Sequence, residues 1–174
     1  MHIGGTVDSY VTNSNRTHFN VTNKVLVFDW TMEKWTELTS MSQSRWAAGC
    51  TTLPNGEILI GGGVSSLSCL NDGSSRNCNG NWLSNDALNT TEIFDPKTNS
   101  WKSGPALPKN ITLGKMMMRN DTPVMIGGVS KVHGHYYNSI LALESDQSKW
   151  INIGKLKHAR YGHLGIFCSY FSFA

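Results

Sequence analysis

The sequence predicts an all-β fold made of stacked four-stranded antiparallel sheets, and three observations lead there. An acidic residue, a tryptophan and an apolar residue recur in steps of six, as Asp29, Trp35, Met41, then Asp95, Trp101, Leu107, then Glu144, Trp150, Leu156. An isoleucine before two glycines also recurs, at Ile3-Gly4-Gly5, Ile60-Gly61-Gly62 and Ile126-Gly127-Gly128, and the two signatures alternate along the chain. Charged residues make up only 16% of the composition while Gly, Ser, Thr and Asn are plentiful, which favours short strands joined by turns over long helices. Such self-similarity marks a chain assembled from copies of one supersecondary unit.

Each element follows from that unit. The opening "MHIGG" reads as a second strand, so residues 1–41 are expected to supply strands two to four of a first copy. Residues 42–107 read as a complete copy, with strand one at 45–53 and strand two at 56–63. Between them Pro54-Asn55-Gly56 is a tight-turn signal, because Asn-Gly tolerates the positive φ of hairpin turns. Strand three (91–95) and strand four (100–107) enclose "PKTN", again turn chemistry. Residues 108–156 follow the same plan, with strands at 112–119, 122–129, 139–144 and 149–156 and a turn at Asn120-Asp121. Met116, Met117 and Met118 read as strand core. Residues 157–168 carry a further first strand, "YGHLGIFC", and 169–174 form an irregular tail.

The pattern resembles the kelch repeat, whose units are the four-stranded blades of a β-propeller, and the resemblance covers nearly the whole chain. It implies a partial kelch-type propeller of stacked antiparallel blades. Gly4, Gly5, Gly61, Gly62, Gly127 and Gly128 would end second strands, and Trp35, Trp101 and Trp150 would pack between blades from fourth strands. All are scaffold positions: glycine lets another backbone approach, and tryptophan buries a large area with its N–H at the rim. A kelch unit runs to about 50 residues and a propeller to about four to eight blades. The chain is therefore expected to be a fragment or truncated product of a larger propeller.

Function is expected on one face. In a four-stranded meander the connections from strand two to three, and from strand four to the next blade, leave from the same end. The long segments 6–24, 64–90 and 130–138 are all two-to-three connections, and long loops on a rigid scaffold are where recognition resides. On that face the candidate partner contacts are His133, His135, Tyr136, Tyr137, Arg45 and Arg160. His133 and His135 alternate as a copper or zinc pair would. No matching Cys–Tyr pair or remote ligand set accompanies them, so aromatic surface contact is the reading and no metal or cofactor is expected. Arg45 and Arg160 each lie ten residues after a tryptophan, where the third repeat has Ile111; an intra-blade hydrogen-bonding role stands beside the partner role. Asp8, Asp72 and Asp86 share no defined element, and no catalytic residue is assigned.

The chemistry thus points to a binding scaffold for a protein or glycan partner. The resemblance also admits two alternatives: part of a secreted copper radical (galactose-oxidase-like) oxidase, or part of a BTB-kelch ubiquitin-ligase adaptor. Scattered Lys and Arg giving a net +3 do not form a nucleic-acid track, and no stretch is apolar enough for a membrane span. Cys69 and Cys78 bracket a loop suited to a disulfide, whereas Cys50 and Cys168 read as small buried hydrophobes. Sequons at Asn15, Asn20, Asn89, Asn110 and Asn120, read as exposed, join that loop in favouring an extracellular or lumenal setting, with the cytoplasm as alternative. No signal peptide is visible, which an upstream start would explain.

Overall fold

The computed structural model describes residues 1–11, 16–70, 82–83, 87–130 and 135–163, with backbone alone at 8–11, 16, 69–70 and 82–83. The strands are β1 (His2–Ile3), β2 (Thr6–Val11), β3 (Arg16–Val21), β4 (Val25–Asp29), β5 (Lys34–Leu38), β6 (Gly49–Thr52), β7 (Ile58–Gly61) and β8 (Leu67–Leu70). There follow β9 (Trp82–Leu83), β10 (Thr91–Asp95), β11 (Ser100–Gly104), β12 (Lys115–Arg119), β13 (Thr122–Ile126), β14 (Ser139–Leu143) and β15 (Trp150–Lys155). Among the described residues there is no helix. Three sheets are blades: β1-β4-β5, β6-β7-β10-β11 and β12-β13-β14-β15, all antiparallel. We call them blades 1, 2 and 3.

The acid of each spaced signature caps a turn. Asp29 Oδ1 accepts the backbone N–H groups of Thr31 and Met32 at 2.8 and 3.0 Å. Asp95 accepts the Lys97 N–H and the Thr98 hydroxyl, and these bonds to the ionised form hold its carboxyl below the usual range. In blade 3 the task is divided: Asp146 takes the Ser148 N–H and Glu144 its hydroxyl. Two residues ahead of Trp35 and Trp101, Glu33 and Asn99 take positive φ and complete the turns.

The tryptophan signature joins blades. Trp101 Nε1 donates to the Thr39 carbonyl of blade 1 at 2.7 Å, and Trp150 Nε1 donates to the Pro105 carbonyl of blade 2 at 3.0 Å. Under Trp101, Val25, Met41 and Ile60 are buried with Ile3, Leu38 and Ala48 against them. The joint beneath Trp150 is larger and draws in Leu59, Ile93, Leu107, Ile111, Met116, Met125 and Leu141. At roughly 1.5–3 kcal/mol for each large apolar side chain buried, the joint between blades 2 and 3 is the stronger. Among the described residues no sheet packs on Trp35 as blade 1 does on Trp101, and it is 54% exposed.

The glycine pairs form a second joint. Gly5, Gly63 and Gly128 each donate a backbone N–H at 2.8 Å to a carbonyl on the chain entering the next blade, that of Arg45, Ile111 and Arg160 respectively. The preceding glycine has to be bare: a Cβ on Gly62 (φ +69°) would lie 2.1 Å from the Ile111 oxygen. The middle pair is therefore Gly62-Gly63, one residue later than the spacing assigned. Three successive glycines hid the register, and Gly61 instead ends β7 against Thr91 and Met116.

The largest departure concerns the long connections 6–24 and 64–90, expected to be loops. They build a fourth antiparallel sheet of order β2-β3-β8-β9. Within β3, Thr17, Phe19 and Val21 alternate inward, and Phe19 lies opposite Leu67 of β8. Phe19 and Val21 pack on Val64, Leu67, Ala87 and Trp46, a core separate from those between blades. The period-two pattern in "RTHFNV" is that of a half-buried strand.

Candidate interaction face

The end of each blade that carries the glycine pair also receives the chain from its neighbour. Single bridges tie these arrivals together, Trp46 to Val64 to Ala87 in blade 2 and Thr112 to Val129 to Tyr136 in blade 3. The segments leaving beyond them carry most of the candidate contacts.

Arg45 is not among the exposed ones. Its side chain is 1% exposed and lies inside blade 2. Its Nη2 and Nε reach Glu92 Oε1 at 2.9 and 3.3 Å. The remaining donors go to the carbonyls of Gly62 and Thr90 and to the Thr90 hydroxyl. Ser42 supplies N–H and hydroxyl, both at 2.8 Å, to Glu92 Oε2. Burial lowers the guanidinium's pKa and the carboxylate opposes that, and the Arg45 donors are internally satisfied. The partner role expected for Arg45 is thus corrected to the intra-blade one. Ile111 is the matching residue of blade 3, and Leu141 stands where blade 2 has Glu92; both belong to one buried apolar cluster, so an ion pair in one blade is replaced by apolar residues in the next.

Arg160 behaves differently. Its backbone is held by Gly128 and Tyr137, its side chain is exposed, and among the described residues it makes no ion pair. Next to it Tyr161 stacks on Tyr136, with ring centroids 5.3 Å apart and planes 22° from parallel. Both rings are about half exposed, at 51% and 53%. Lys109 Nζ lies 4.9 Å from the Tyr137 ring centroid, a cation–π contact. His163 is half-buried, and burial together with the charges of Arg160 and Lys115 lowers its pKa. The structure therefore brings Tyr136, Tyr137 and Arg160 together with Lys109, Tyr161 and His163, and leaves His135 exposed beside them. Lys109 and Tyr161 were absent from the candidates because neither matches the repeat, and only folding shows which aromatic each meets.

His133 lies outside the described residues, so its pairing with His135 is not part of this geometry; among the described residues no group of three metal-binding side chains occurs. Asp72, Asp86, Cys78, Cys168 and Asn15 also lie outside them, as does most of the strand expected at 161–168. Cys50, expected to be buried, is exposed on β6. Asn20, Asn110 and Asn120 are exposed, and Asn120 takes the positive φ expected of its turn. Asn89 is half-buried, and its carbonyl accepts the Leu107 N–H just as Asn23 accepts that of Met41, so this asparagine belongs to the repeat rather than to a loop.

The Kelch motif family profile matches residues 78–108. Kelch repeat and BTB domain-containing protein 12 of Danio rerio is 28% identical over 152 residues, covering 81% of this chain and 22% of that protein. The chain carries a kelch motif and is similar to kelch-repeat proteins. Kelch-like protein 23 of Mus musculus is 33% identical over 81 residues, 46% of this chain and 14% of its own length. The chain thus spans about a fifth or less of the curated relatives it matches. The solved structure of YjhT superposes with a TM-score of 0.59 at 15% identity, over 91% of this chain and 53% of that one, which shows the propeller fold.

Proposed function

We propose that the chain is a non-enzymatic binding module that takes a protein partner on the end carrying its glycine pairs. The observation that carries this reading is the fourth sheet: connections from two successive blades have been drawn into one ordered surface built on a core of its own. On the same end, in blade 3, half-exposed Tyr136 and Tyr161 stand beside Arg160 and Lys109. Tyrosine and arginine combine apolar area with hydrogen-bonding ends and dominate interface energetics. The name of the Danio rerio relative joins kelch repeats to a BTB domain, which favours the adaptor form of this reading: the kelch part would hold one protein while another segment engages a larger assembly. Glycan binding and a copper oxidase are the competing proposals.

Proximity labelling tests it. Partners captured by the intact protein should be lost when Tyr136 and Tyr161 are both changed to serine, with circular dichroism unchanged. An identical partner set in the two proteins refutes the assignment. Loss of a glycan from an array, or of stoichiometric copper, would support the competitors instead. The extracellular or lumenal setting is likewise a proposal, tested by a glycosidase-sensitive mass shift.

A further inference from the structure

The two middle strands of the fourth sheet, β3 and β8, come from connections of two different blades. A slip of one residue by either strand would turn its inward side chains away from the core that Phe19 shares with Leu67. The two connections therefore have to be fixed relative to each other, and their stems show how. Gly5 and Thr22 flank the first, joined by the Thr22 N–H donating to the Gly5 carbonyl at 2.9 Å. Gly62 and Thr90 flank the second, joined by the Gly62 N–H donating to the Thr90 carbonyl at 3.1 Å.

Arg45 touches all four stems. Its N–H donates to the Thr22 carbonyl at 3.2 Å and its carbonyl accepts the Gly5 N–H at 2.8 Å. From the same residue, Nη1 donates to the carbonyls of Gly62 and Thr90 at 2.9 and 3.0 Å, and Nη2 to the Thr90 hydroxyl. The repeat supplies only the backbone half of this arrangement. Ile111 donates to the Leu88 carbonyl and accepts the Gly63 N–H in the same way, but its side chain has no donor. The connection that follows it in blade 3, residues 130–138, joins no sheet among the described residues. An arginine thus stands where two connections share a sheet, and an isoleucine where they do not.

We propose that Arg45 is the positioning residue of the fourth sheet: it locks the stems of both connections to one point and so sets the register of β3 on β8. Pinning the stems reduces the chain entropy lost when the two strands meet. The planar fork of donors serves two carbonyls and a hydroxyl while it faces Glu92. The inference deepens the proposed function, which rests on this sheet, but its test needs no partner, so either can fail alone.

Native-state hydrogen exchange on the full chain, read by peptide mass spectrometry, tests it through the rate at β3 and β8 relative to that at β13 and β14. Arg45→Ile with Glu92→Leu removes the side-chain grip on the stems, and the relative rate should rise about tenfold or more, as lost hydrogen bonds to a charged group imply. Glu92→Leu alone leaves Arg45 its Gly62 and Thr90 acceptors and should not raise it, although that protein is the less stable of the two. An unchanged relative rate in the double variant overturns the proposal, and so does an equal rise in both proteins, which would mark general loosening. Thr90→Val is a milder variant that removes one acceptor at an exposed site. It should raise the same ratio about threefold. No rise there overturns the assignment even where the double variant fails to fold.

Discussion

Replacing Arg45 with isoleucine removes the guanidinium and leaves the Glu92 carboxylate, 5% exposed, with Ser42 as its remaining partner. Breaking a buried pair from one side costs about 3–5 kcal/mol. Glu92→Leu should cost less, toward the lower end of that range, because Arg45 keeps the Gly62 and Thr90 acceptors. The double variant places at these positions the apolar residue types that blade 3 already buries there, Ile111 and Leu141. Exchanging a buried ion pair for apolar residues is often neutral, so the double change should cost no more than about 1–2 kcal/mol. The coupling between the sites is then about 4 kcal/mol or more, above the usual range for contacting residues. For a chain of this size about 1 kcal/mol moves Tm by roughly 2–4 °C, so Arg45→Ile should melt about 10 °C below wild type and the double variant within about 5 °C. Urea unfolding followed by tryptophan fluorescence measures all four corners. Additive losses, with the double variant as unstable as the two singles combined, would refute the claim that these residues matter chiefly as a pair.

Four further outcomes are expected. Gly62→Ala should destabilise by more than about 3 kcal/mol, since strain at positive φ adds to a collision with the Ile111 carbonyl, whereas Gly56→Ala, with φ +87° and open space around it, should lose only about 1–2 kcal/mol by urea titration. Trp101→Phe, which keeps a ring and loses the bond to Thr39, should cost about 1–2 kcal/mol in the same assay. Because His163 binds its proton less tightly folded than unfolded, the unfolded chain gains protons first; stability should fall as pH drops through about 6.5, and His163→Gln should flatten that decline in pH-dependent melts. Cys50 should react with a thiol reagent in the native protein, and the total count after unfolding should be two with a Cys69–Cys78 disulfide or four without it.

Most of the blade architecture was legible because it rests on residues whose chemistry leaves few options. A tryptophan at fixed distance from a turn-capping acid, and glycines where a carbonyl must approach, report backbone geometry directly. Register within a run such as Gly61-Gly62-Gly63 was not legible, because identical residues carry no phase. The face was legible only in part. Tyr136, Tyr137 and Arg160 were visible as residue types, but the ten-residue offset that flagged Arg160 also flagged Arg45. Glu92 decides which of the two is internal, and its distance in sequence from Arg45 hides that. The fourth sheet eluded the spacing argument because its pairing of β3 with β8 links segments about 50 residues apart, which no local period encodes.

The pairing of those two segments is also the most direct test of the ordered face. His18 and Ser68 lie opposite each other in β3 and β8, while Asn20 is displaced from Ser68 along the strand. Directly opposed residues have Cβ atoms about 4.5–5.5 Å apart, within reach of a disulfide after slight adjustment. With the native cysteines changed to serine, His18→Cys with Ser68→Cys should cross-link almost completely on mild oxidation, read by peptide mapping, and Asn20→Cys with Ser68→Cys should do so poorly. Equal or absent cross-linking in the two pairs would contradict the shared sheet, and with it the surface on which partner binding is proposed.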